Sequence, residues 1–332
     1  HAMSGLRAIH AMEAMRGILT SEAYMVKINR ETLSRVITVI NGKGGVLKTT
    51  LVANTAGLLA ASGFRVLVVD LDPQGNLAED FGYTDEPEND NGSSLAAALM
   101  FNHQPQLYHN VRPNLDVLMG GESLDSASAG LAAMQGKDPM RAKLALAQTL
   151  ESLAPEYDMV LIDCPPGDEM LQTNAVAAAR WALVPVKSDK ASRKGLSAVA
   201  KRLDAVIDVN PDLDLLGVVL VDVGRGATRI EREARQQISD LFGGYADITL
   251  TATIRHSEAT AQAARERGLL VPELDEFVQN GPKWFEIRRG QAEAATLAPR
   301  TATNVADDLQ AITEEIVSRI TLSENAAVSE QA

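Results

Sequence analysis

The sequence has little of several residue types on which particular protein classes depend. Cys164 is the only cysteine among 332 residues, which excludes a disulfide framework and a zinc or iron–sulfur site built from cysteines of this chain alone. A reducing compartment such as the cytoplasm is the simplest expectation. Aromatic residues make up only 4% of the chain, whereas hydrophobic residues make up 45%. This balance is typical of a globular protein with aliphatic strands and alanine-rich helices.

Positive charge and long apolar runs are also scarce. Lys and Arg number 31 against 44 Asp and Glu, a net charge of −13, so binding to DNA or to an anionic membrane would need a local basic patch. No apolar run approaches the roughly 20 residues of a membrane-spanning helix. Residues 1–25 lack the compact apolar core of a signal peptide, because charged residues interrupt them. We therefore expect a cytoplasmic protein that does not bind membranes.

The chain is expected to form one folded domain between two terminal segments. Apolar residues at helical spacing predict a helical extension within residues 1–34, of which His1 and Ala2 precede Met3 and are interpreted as a cloning remnant. Residues 35–321 are expected to form the domain. Within it, an amphipathic helix is predicted at residues 307–320. The polar residues 322–332 are expected to be a disordered tail.

Strands and helices alternate along the predicted domain. The β-branched run at residues 35–40, a helix at 49–63 and a second strand at 65–70 form a βαβ unit. Further strands are predicted within "NLDVLMG", "YDMVLIDCPPG", "WALVPV", "LDLLGVVLVD" and "DITLTATI". The pattern predicts an α/β fold: a doubly wound, mostly parallel sheet with helices on both faces and functional loops at the carboxyl ends of the strands.

The segment "NGKGGVLKTT", residues 41–50, follows the first strand and opens the first helix, as a phosphate-binding P-loop does. It matches the pattern G-x-x-x-x-G-K-[ST] except that Leu47 stands where the second glycine is expected. As a P-loop, its backbone N–H groups would surround phosphates, Lys48 would neutralise them and the Thr49 hydroxyl would bind Mg²⁺. The alternative is a glycine turn with a surface lysine. The predicted nucleotide-binding positions here are Gly42, Gly44, Gly45, Val46, Leu47, Lys48, Thr49 and Thr50.

Carboxylates follow two other predicted strands. Asp70 and Asp72 lie in "DLDPQGN", where Asp70 can belong to the metal site and Asp72 can both contribute to that site and orient an attacking water. Asp163 ends the apolar strand of "VLIDCPPG", as a Walker B aspartate that binds Mg²⁺ does. The alternative for the first pair is an acidic turn between strand and helix. Cys164 is expected to be a buried, unreactive side chain.

Four segments together carry a family resemblance. "KGGVLKTT", "VLVVDLDPQGN", "DMVLIDCPPG" and "RHSEA" resemble, in order and spacing, the deviant Walker-A ATPases of the ParA partition type, over about residues 35–320. The resemblance implies a Mg²⁺-dependent ATPase of DNA segregation that forms a homodimer with ATP and binds nonspecific DNA on the nucleoid. It also implies stimulation by a ParB-type centromere-binding protein. Lys43 would reach across the dimer to the partner's phosphates, in the manner of an arginine finger.

The resemblance also implies a DNA-binding surface. Arg255 of "RHSEA" matches the arginine of the family's R-L-S-E-A segment, and Asp222 at the end of "VVLVD" is a candidate for the base pocket. The family's proline four residues before Arg255 is Thr251 here, which leaves the base contacts open. Nearby cations could extend the DNA-binding patch, with solvated helix ends as the alternative interpretation. These cations are Arg265, Arg267, Lys283, Arg288 and Arg289.

Leu47 leaves the activity open. A leucine forced into the left-handed conformation costs about 1–2 kcal/mol, so the sequence predicts nucleotide binding that is weakened or reshaped. One rival function is a nucleotide-independent DNA-binding or adaptor protein on the same scaffold. A MinD-like membrane ATPase is disfavoured because the C-terminal residues are acidic and polar rather than basic and amphipathic. A relative of the nitrogenase iron protein is excluded because it would need further cysteines.

Overall fold

One β-sheet organises the protein. The computed structural model describes residues 27–187, 191–224, 226–242, 246–281, 299 and 301–331. The predicted N-terminal helix lies outside the described residues. The strands are β1 (Val36–Val39), β2 (Val66–Asp70), β3 (Tyr108–Arg112), β4 (Leu115–Leu118), β5 (Met159–Asp163), β6 (Trp181–Lys187), β7 (Asp214–Val223) and β8 (Thr249–Arg255).

The sheet is almost entirely parallel. Its strands follow the order β3-β4-β2-β5-β1-β6-β7-β8, and only the pairing of β3 with β4 is antiparallel. The predicted doubly wound α/β fold in one domain is confirmed. Strand β3 is not predicted from the sequence. Its residues are exposed or half-buried at the edge of the sheet, so it lacks the buried apolar run by which the other strands are recognised.

Helices cover both faces of this sheet. They are α1 (Lys48–Ala61), α2 (Leu77–Phe81), α3 (Ser93–Phe101), α4 (Ser123–Met134), α5 (Pro139–Leu153), α6 (Glu169–Ala178), α7 (Ala191–Asp204), α8 (Thr228–Leu241), α9 (Glu258–Arg267), α10 (Val271–Asn280) and α11 (Ala302–Gln331). Alternate residues of β2 belong to different hydrophobic cores: Val66 and Val68 pack with α1 and α11, whereas Leu67 and Val69 pack with α5 and α6. The buried aliphatic runs of the sequence thus reflect a sheet that is covered on both faces.

Helix α11 is longer than the sequence predicts. It begins before residue 307 and continues through Gln331, across the residues for which a disordered tail is predicted. Those residues include several good helix formers, alanine, glutamate and glutamine. Within the same stretch, Glu324 forms an ion pair with Arg35 at 2.8 Å, which fastens the helix to the chain just before β1. Local composition and this long-range contact together account for the extension.

The open edge of β8 is covered by charged side chains. Glu315 of α11 accepts hydrogen bonds from the backbone N–H groups of Thr251 and Ala252, each at 3.0 Å. Arg235 of α8 donates to the carbonyl oxygens of Leu250 and Thr251 at 2.7 and 3.0 Å. The backbone N–H and carbonyl groups of an uncovered edge strand could pair with a strand of another molecule. The ionic side chains therefore close this end of the sheet.

Candidate functional site

The strand order brings the three predicted loops together. β5 lies between β1 and β2, so that Asp163 is in register with Val39 on one side and Asp70 on the other. The loop of residues 41–47 leaves β1 at this edge, and the Asp72 loop leaves β2 at the same edge. The carboxyl edge of the sheet thus carries the P-loop-like segment, Asp70, Asp72 and Asp163 in one place.

The loop after β1 is held at both ends. The buried Asn41 side chain donates to the carbonyl of Pro185 in β6 at 2.8 Å and accepts from the backbone N–H of Lys43 at 2.9 Å. Lys48, in the first turn of α1, donates from Nζ to the Lys43 carbonyl at 3.2 Å. Gly42, Gly44 and Gly45 are exposed between these anchors, whereas Val46 is buried. The Asn41 contact is not predicted from the sequence, because it depends on β6 lying beside β1.

Leu47 adopts the conformation that the P-loop pattern reserves for glycine. Its φ of 59° and ψ of 28° lie in the left-handed region, and its carbonyl accepts the first hydrogen bond of α1 from the Leu51 N–H at 2.9 Å. Such a conformation costs a leucine about 1–2 kcal/mol. Its side chain is half-buried and packs against the hydrophobic core beside α1. The protein therefore keeps the backbone path of the loop despite the missing glycine.

Lys48 lies among buried carboxylates. Burial lowers the pKa of its ammonium group, and the nearby charges of Asp163 and Asp72 oppose that change. Asp163 is fully buried, and this burial raises its pKa to about 7, against the opposing effects of Lys48 and of the Thr49 hydroxyl, which lies nearby but outside hydrogen-bond geometry. Burial, together with the charge of Asp163, also raises the pKa of Asp70. The site therefore holds more buried acidic side chains than Lys48 alone can keep ionised.

The carboxylates provide oxygen atoms without protein partners. Among the described residues, neither oxygen of Asp163 has a hydrogen bond, and Oδ2 of Asp70 also has none. Oδ1 of Asp70 accepts from the Asp72 N–H at 3.0 Å, and Oδ1 of Asp72 accepts from the Gln74 N–H at 2.9 Å. No group of three His, Cys, Asp or Glu side chains forms a metal cage within the described part of the chain. This donor set fits Mg²⁺, which is usually held by one or two carboxylates together with phosphate and water oxygens.

A cavity adjoins the first turn of α1. Its volume is about 260 Å³, and its walls are mostly apolar, with Leu47 and Thr50 at one side. Asp222, at the end of β7, lies in this cavity, forms an ion pair with Lys187 at 2.6 Å and is hydrogen-bonded to Nδ1 of His256. Burial tends to raise the pKa of Asp222, but hydrogen bonds from Lys187 and His256 lower it below its usual value. The sequence does not predict these two partners, although each lies at or just beyond the end of a strand that terminates at this edge.

The arginines considered for DNA binding lie in two separate places, and each described one has a protein contact. Arg255 lines the cavity beside α1 and forms a two-point ion pair with Asp308 of α11, with distances of 2.7 Å. Arg265 and Arg267 lie at the end of α9. Arg265 pairs with Asp80 at 2.9 Å, and Arg267 donates to the Ala263 carbonyl at 3.1 Å. Lys283, Arg288 and Arg289 lie outside the described residues.

Cys164 is buried, as the sequence predicts. Its sulfur lies 3.0 Å from the Thr38 hydroxyl, and burial raises the pKa of the thiol to about 12. A thiol with so high a pKa is a poor nucleophile.

Comparisons with known proteins agree with this geometry. A sequence family described as an AAA domain matches residues 34–215, more than half of the chain. The chain is 35% identical over 193 residues to the chromosome partitioning protein ParA of Myxococcus xanthus, covering 57% of this chain and 65% of that protein. It is 32% identical over 231 residues to ParA of Caulobacter vibrioides, covering 68% of this chain and 83% of that protein.

A solved structure shows the same arrangement of the chain. Cobyrinic acid a,c-diamide synthase from Mycobacterium smegmatis, with bound ATP analog and magnesium, is 30% identical with a TM-score of 0.57. The match covers 70% of this chain and 92% of that one. Within the described residues, no helix is both long and apolar enough to cross a bilayer. Sequence and fold lead to one conclusion: the chain belongs to the ParA-type family of partition ATPases.

Proposed function

We propose that this protein is a Mg²⁺-dependent ATPase that acts in the partition of plasmid, phage or chromosomal DNA. The observation that carries the proposal is Asp163, fully buried between the P-loop-like segment and Asp70, with both carboxylate oxygens lacking a partner among the described residues. Buried acidic oxygens without partners destabilise a fold. Their retention beside Lys48 is best explained by a cationic ligand that completes the site.

Each residue of the site has a role in this proposal. The N–H groups of residues 44–49 would bind the phosphates at the start of α1, and Lys48 would balance their charge. Thr49 and Asp163 would hold Mg²⁺, with Asp70 beside them. The ion, when bound, supplies charge stabilisation to the transferred phosphoryl group. The M. smegmatis structure, with its ATP analog and magnesium, supports nucleotide and metal binding of this kind.

Asp72 is proposed to orient the attacking water. It is buried at 5% exposure, and its carboxylate is held by the Gln74 N–H within a loop that turns at Gly75, where φ is 60°. Burial raises the pKa of Asp72, while the hydrogen bond from Gln74 and the charge of Lys48 oppose the rise. A carboxylate fixed in this way can accept a hydrogen bond from water beside the phosphate.

The cavity beside α1 is proposed to receive the base and ribose of the nucleotide. Ligands of doubly wound folds bind outside the carboxyl ends of the strands, and this cavity continues from the start of α1 along the ends of β6, β7 and β8. Asp222 would accept a hydrogen bond from an exocyclic amino group of the base, and the Lys187 and His256 contacts hold its carboxylate in place.

The remaining parts of the proposal concern assembly and partners. An ATP-bound homodimer would place Lys43 against the phosphates of the partner subunit. The protein would bind nonspecific DNA on the nucleoid through Arg255, Arg265, Arg267, Lys283, Arg288 and Arg289, and a ParB-type protein would stimulate hydrolysis. The similarity to ParA of Caulobacter vibrioides over most of that protein supports this part.

Calorimetric titration with ATP and Mg²⁺ tests nucleotide binding. This chain is titrated beside Leu47→Gly, because glycine adopts the left-handed conformation without strain. We expect both chains to bind and the glycine variant to bind more tightly. Equal affinities would refute the effect assigned to Leu47, and a failure of both chains to bind would refute the ATPase proposal.

A second candidate follows from the same residue. The left-handed Leu47 favours a nucleotide-independent DNA-binding or adaptor protein if its side chain excludes phosphate. A DNA mobility-shift assay with and without ATP separates the two candidates. DNA binding that ignores ATP, with no hydrolysis when a ParB-type partner is added, would favour the adaptor, whereas ATP-dependent binding favours the ATPase.

A further inference from the structure

Asp80 connects the Asp72 loop to helix α9. It lies on α2, which begins five residues after Asp72, and its side chain is buried at 8% exposure. Oδ1 accepts from Nε of Arg265 at 2.9 Å, whereas Oδ2 has no hydrogen bond among the described residues. Asp80 is also close enough to Asp163 to help raise the pKa of that carboxyl group. A buried carboxylate therefore depends on Arg265 for its counter-charge.

The backbone joins the same two helices at a second point. Gly82 ends α2 with φ of 79°, and Gly268 ends α9 with φ of 58°. A Cβ atom added at Gly268 would lie 2.5 Å from the Cα of Gly82, a separation that real side chains do not reach. The two helix ends therefore touch backbone to backbone, and a displacement of one must displace the other.

Arg112 ties this junction to the edge of the sheet. Its guanidinium group donates to the carbonyl of Phe81, the last residue of α2, at 3.1 Å and to the carbonyl of Gly268 at 2.9 Å. It also pairs with Glu273 of α10 at 2.5 Å. One side chain on β3 thus holds the ends of α2 and α9 together. The ion pair, the glycine contact and Arg112 make three independent connections between α2, which follows the Asp72 loop, and α9.

We propose that Asp80 is a positioning residue that couples the nucleotide site to Arg265, so that a rearrangement of the Asp72 loop changes how firmly Arg265 is held. This inference rests on the proposed function, in which Arg265 meets DNA phosphates. The Arg265 side chain is 45% exposed while its Nε pairs with Asp80, so a phosphate group can reach the guanidinium, but the Asp80 charge weakens its attraction for the phosphate. If nucleotide binding weakens the Asp80–Arg265 ion pair, it should increase the affinity for DNA. By thermodynamic linkage, DNA binding should then change the affinity for the nucleotide by the same factor.

The chain offers matched variants for the test. Asp80→Asn keeps the shape and one acceptor oxygen but removes the charge, and Arg265→Gln breaks the pair from the other side. Glu324→Gln is the control, because the ion pair of Glu324 with Arg35 has the same chemistry. This pair joins α11 to the amino-terminal end of β1, the end of the strand opposite the P-loop-like segment. Thermal unfolding of each variant establishes that it is folded.

Two measurements are made on the full chain with and without ATP and Mg²⁺ at one fixed salt concentration. The first is fluorescence anisotropy of labelled duplex DNA. Without nucleotide, Asp80→Asn should bind DNA about two- to fivefold more tightly than the parent chain, the range expected for a partly exposed ion pair. The increase in DNA affinity that ATP causes should be smaller in this variant by the same factor. Glu324→Gln should match the parent.

The second measurement is hydrogen exchange of residues 258–267. ATP should change the exchange of this segment in the parent and in Glu324→Gln. The change should be smaller in Asp80→Asn and Arg265→Gln, in which the glycine contact and Arg112 still join α2 to α9 but the ion pair does not. If Asp80→Asn keeps the full ATP dependence in both measurements, the coupling is refuted. If no chain binds DNA but ATP still alters exchange more strongly where the Asp80–Arg265 pair is intact, the coupling stands and the partition function fails. No response to ATP in any chain would overturn both.

Discussion

The carboxyl edge of β2 and β5 and the open edge of β8 both carry acidic side chains. The two edges differ in whether the carboxylate oxygens have hydrogen-bond donors. At the edge of β8, Glu315 accepts two backbone N–H groups, and Asp308 accepts from the backbone N–H and the guanidinium group of Arg255. At the ends of β2 and β5, Asp70 and Asp163 are fully buried and retain oxygen atoms without partners in the described residues.

We interpret this difference as a separation between charges that stabilise the fold and charges that are available to a ligand. A carboxylate that takes two N–H groups compensates for its own loss of hydration. Buried carboxylates that lack such donors lower the stability of the protein until a cation arrives. Four experiments test this comparison.

Loss of the Lys48 charge should have the largest effect. Lys48→Met keeps the length of the side chain but removes the ammonium group from the phosphate side of the site. We expect the affinity for ATP, measured by calorimetry, to fall about 10- to 100-fold. This range corresponds to the free energy of a hydrogen bond to a charged group. Lys43→Met is the matched variant in the same loop. It should leave ATP affinity nearly unchanged and abolish ATP-driven dimerisation, measured by analytical ultracentrifugation; equal losses of affinity in the two variants would contradict their separate roles.

Asp163→Asn should stabilise the protein in the absence of metal and nucleotide. The amide is neutral and nearly the same size, so it avoids the burial of an unpaired charge, and we expect a gain of about 1–3 kcal/mol in the free energy of unfolding. Urea denaturation in the presence of EDTA measures it, and hydrolysis of ATP should be lost in the same variant. Asp208→Asn is the control, since Asp208 is exposed and pairs with Lys143. A destabilised Asp163→Asn would show that the ionised carboxylate belongs to the fold rather than to a ligand site.

Glu315→Gln should have the opposite effect on stability. The variant loses the charge that binds two N–H groups of β8, and we expect a loss of about 1–2 kcal/mol. Although burial alone would raise it, the pKa of Glu315 is lowered by the N–H groups of Ala252 and Thr251 and by Arg319. Its stabilising contribution is therefore complete above the unfolded-state pKa of about 4.3 and disappears as the pH falls through the lower folded-state pKa.

Urea denaturation between pH 3 and pH 7 measures this contribution. The difference between the parent and Glu315→Gln should shrink toward acidic pH. Glu314→Gln is the control on the exposed side of the same helix, and its stability should follow the parent throughout. A constant difference across the pH range would refute the role of the Glu315 charge.

Substitutions of Leu47 should change stability least. Leu47→Gly relieves the left-handed strain but loses packing and increases the freedom of the unfolded chain, so we expect a net change below about 1 kcal/mol. Leu47→Ala loses the packing and keeps the strain. The alanine variant should therefore be less stable than the glycine variant in urea denaturation, the reverse of the order in a helix interior. A Leu47→Ala variant that is more stable than Leu47→Gly would argue against the left-handed conformation of residue 47.

Features that depend on neighbouring residues can be predicted from the sequence. The βαβ unit, the loop of residues 41–50 and the position of Asp163 at a strand end follow from short apolar runs and the residues that interrupt them. Strand β3 cannot be recognised in this way, because its side chains are largely exposed. The length of α11 also escapes prediction, since the Arg35–Glu324 contact joins residues that are far apart in the chain.

The sequence by itself determines where the P-loop-like segment and the strand-end carboxylates lie, because each motif is contiguous. Only the tertiary structure decides what those residues meet. The strand order places β5 between β1 and β2, which buries Asp163 beside the P-loop-like segment. The packing of α2 and α11 gives Arg265 and Arg255 their carboxylate partners. The physical reason is that burial and charge pairing arise from contacts between distant segments, whereas a motif records only the local chain.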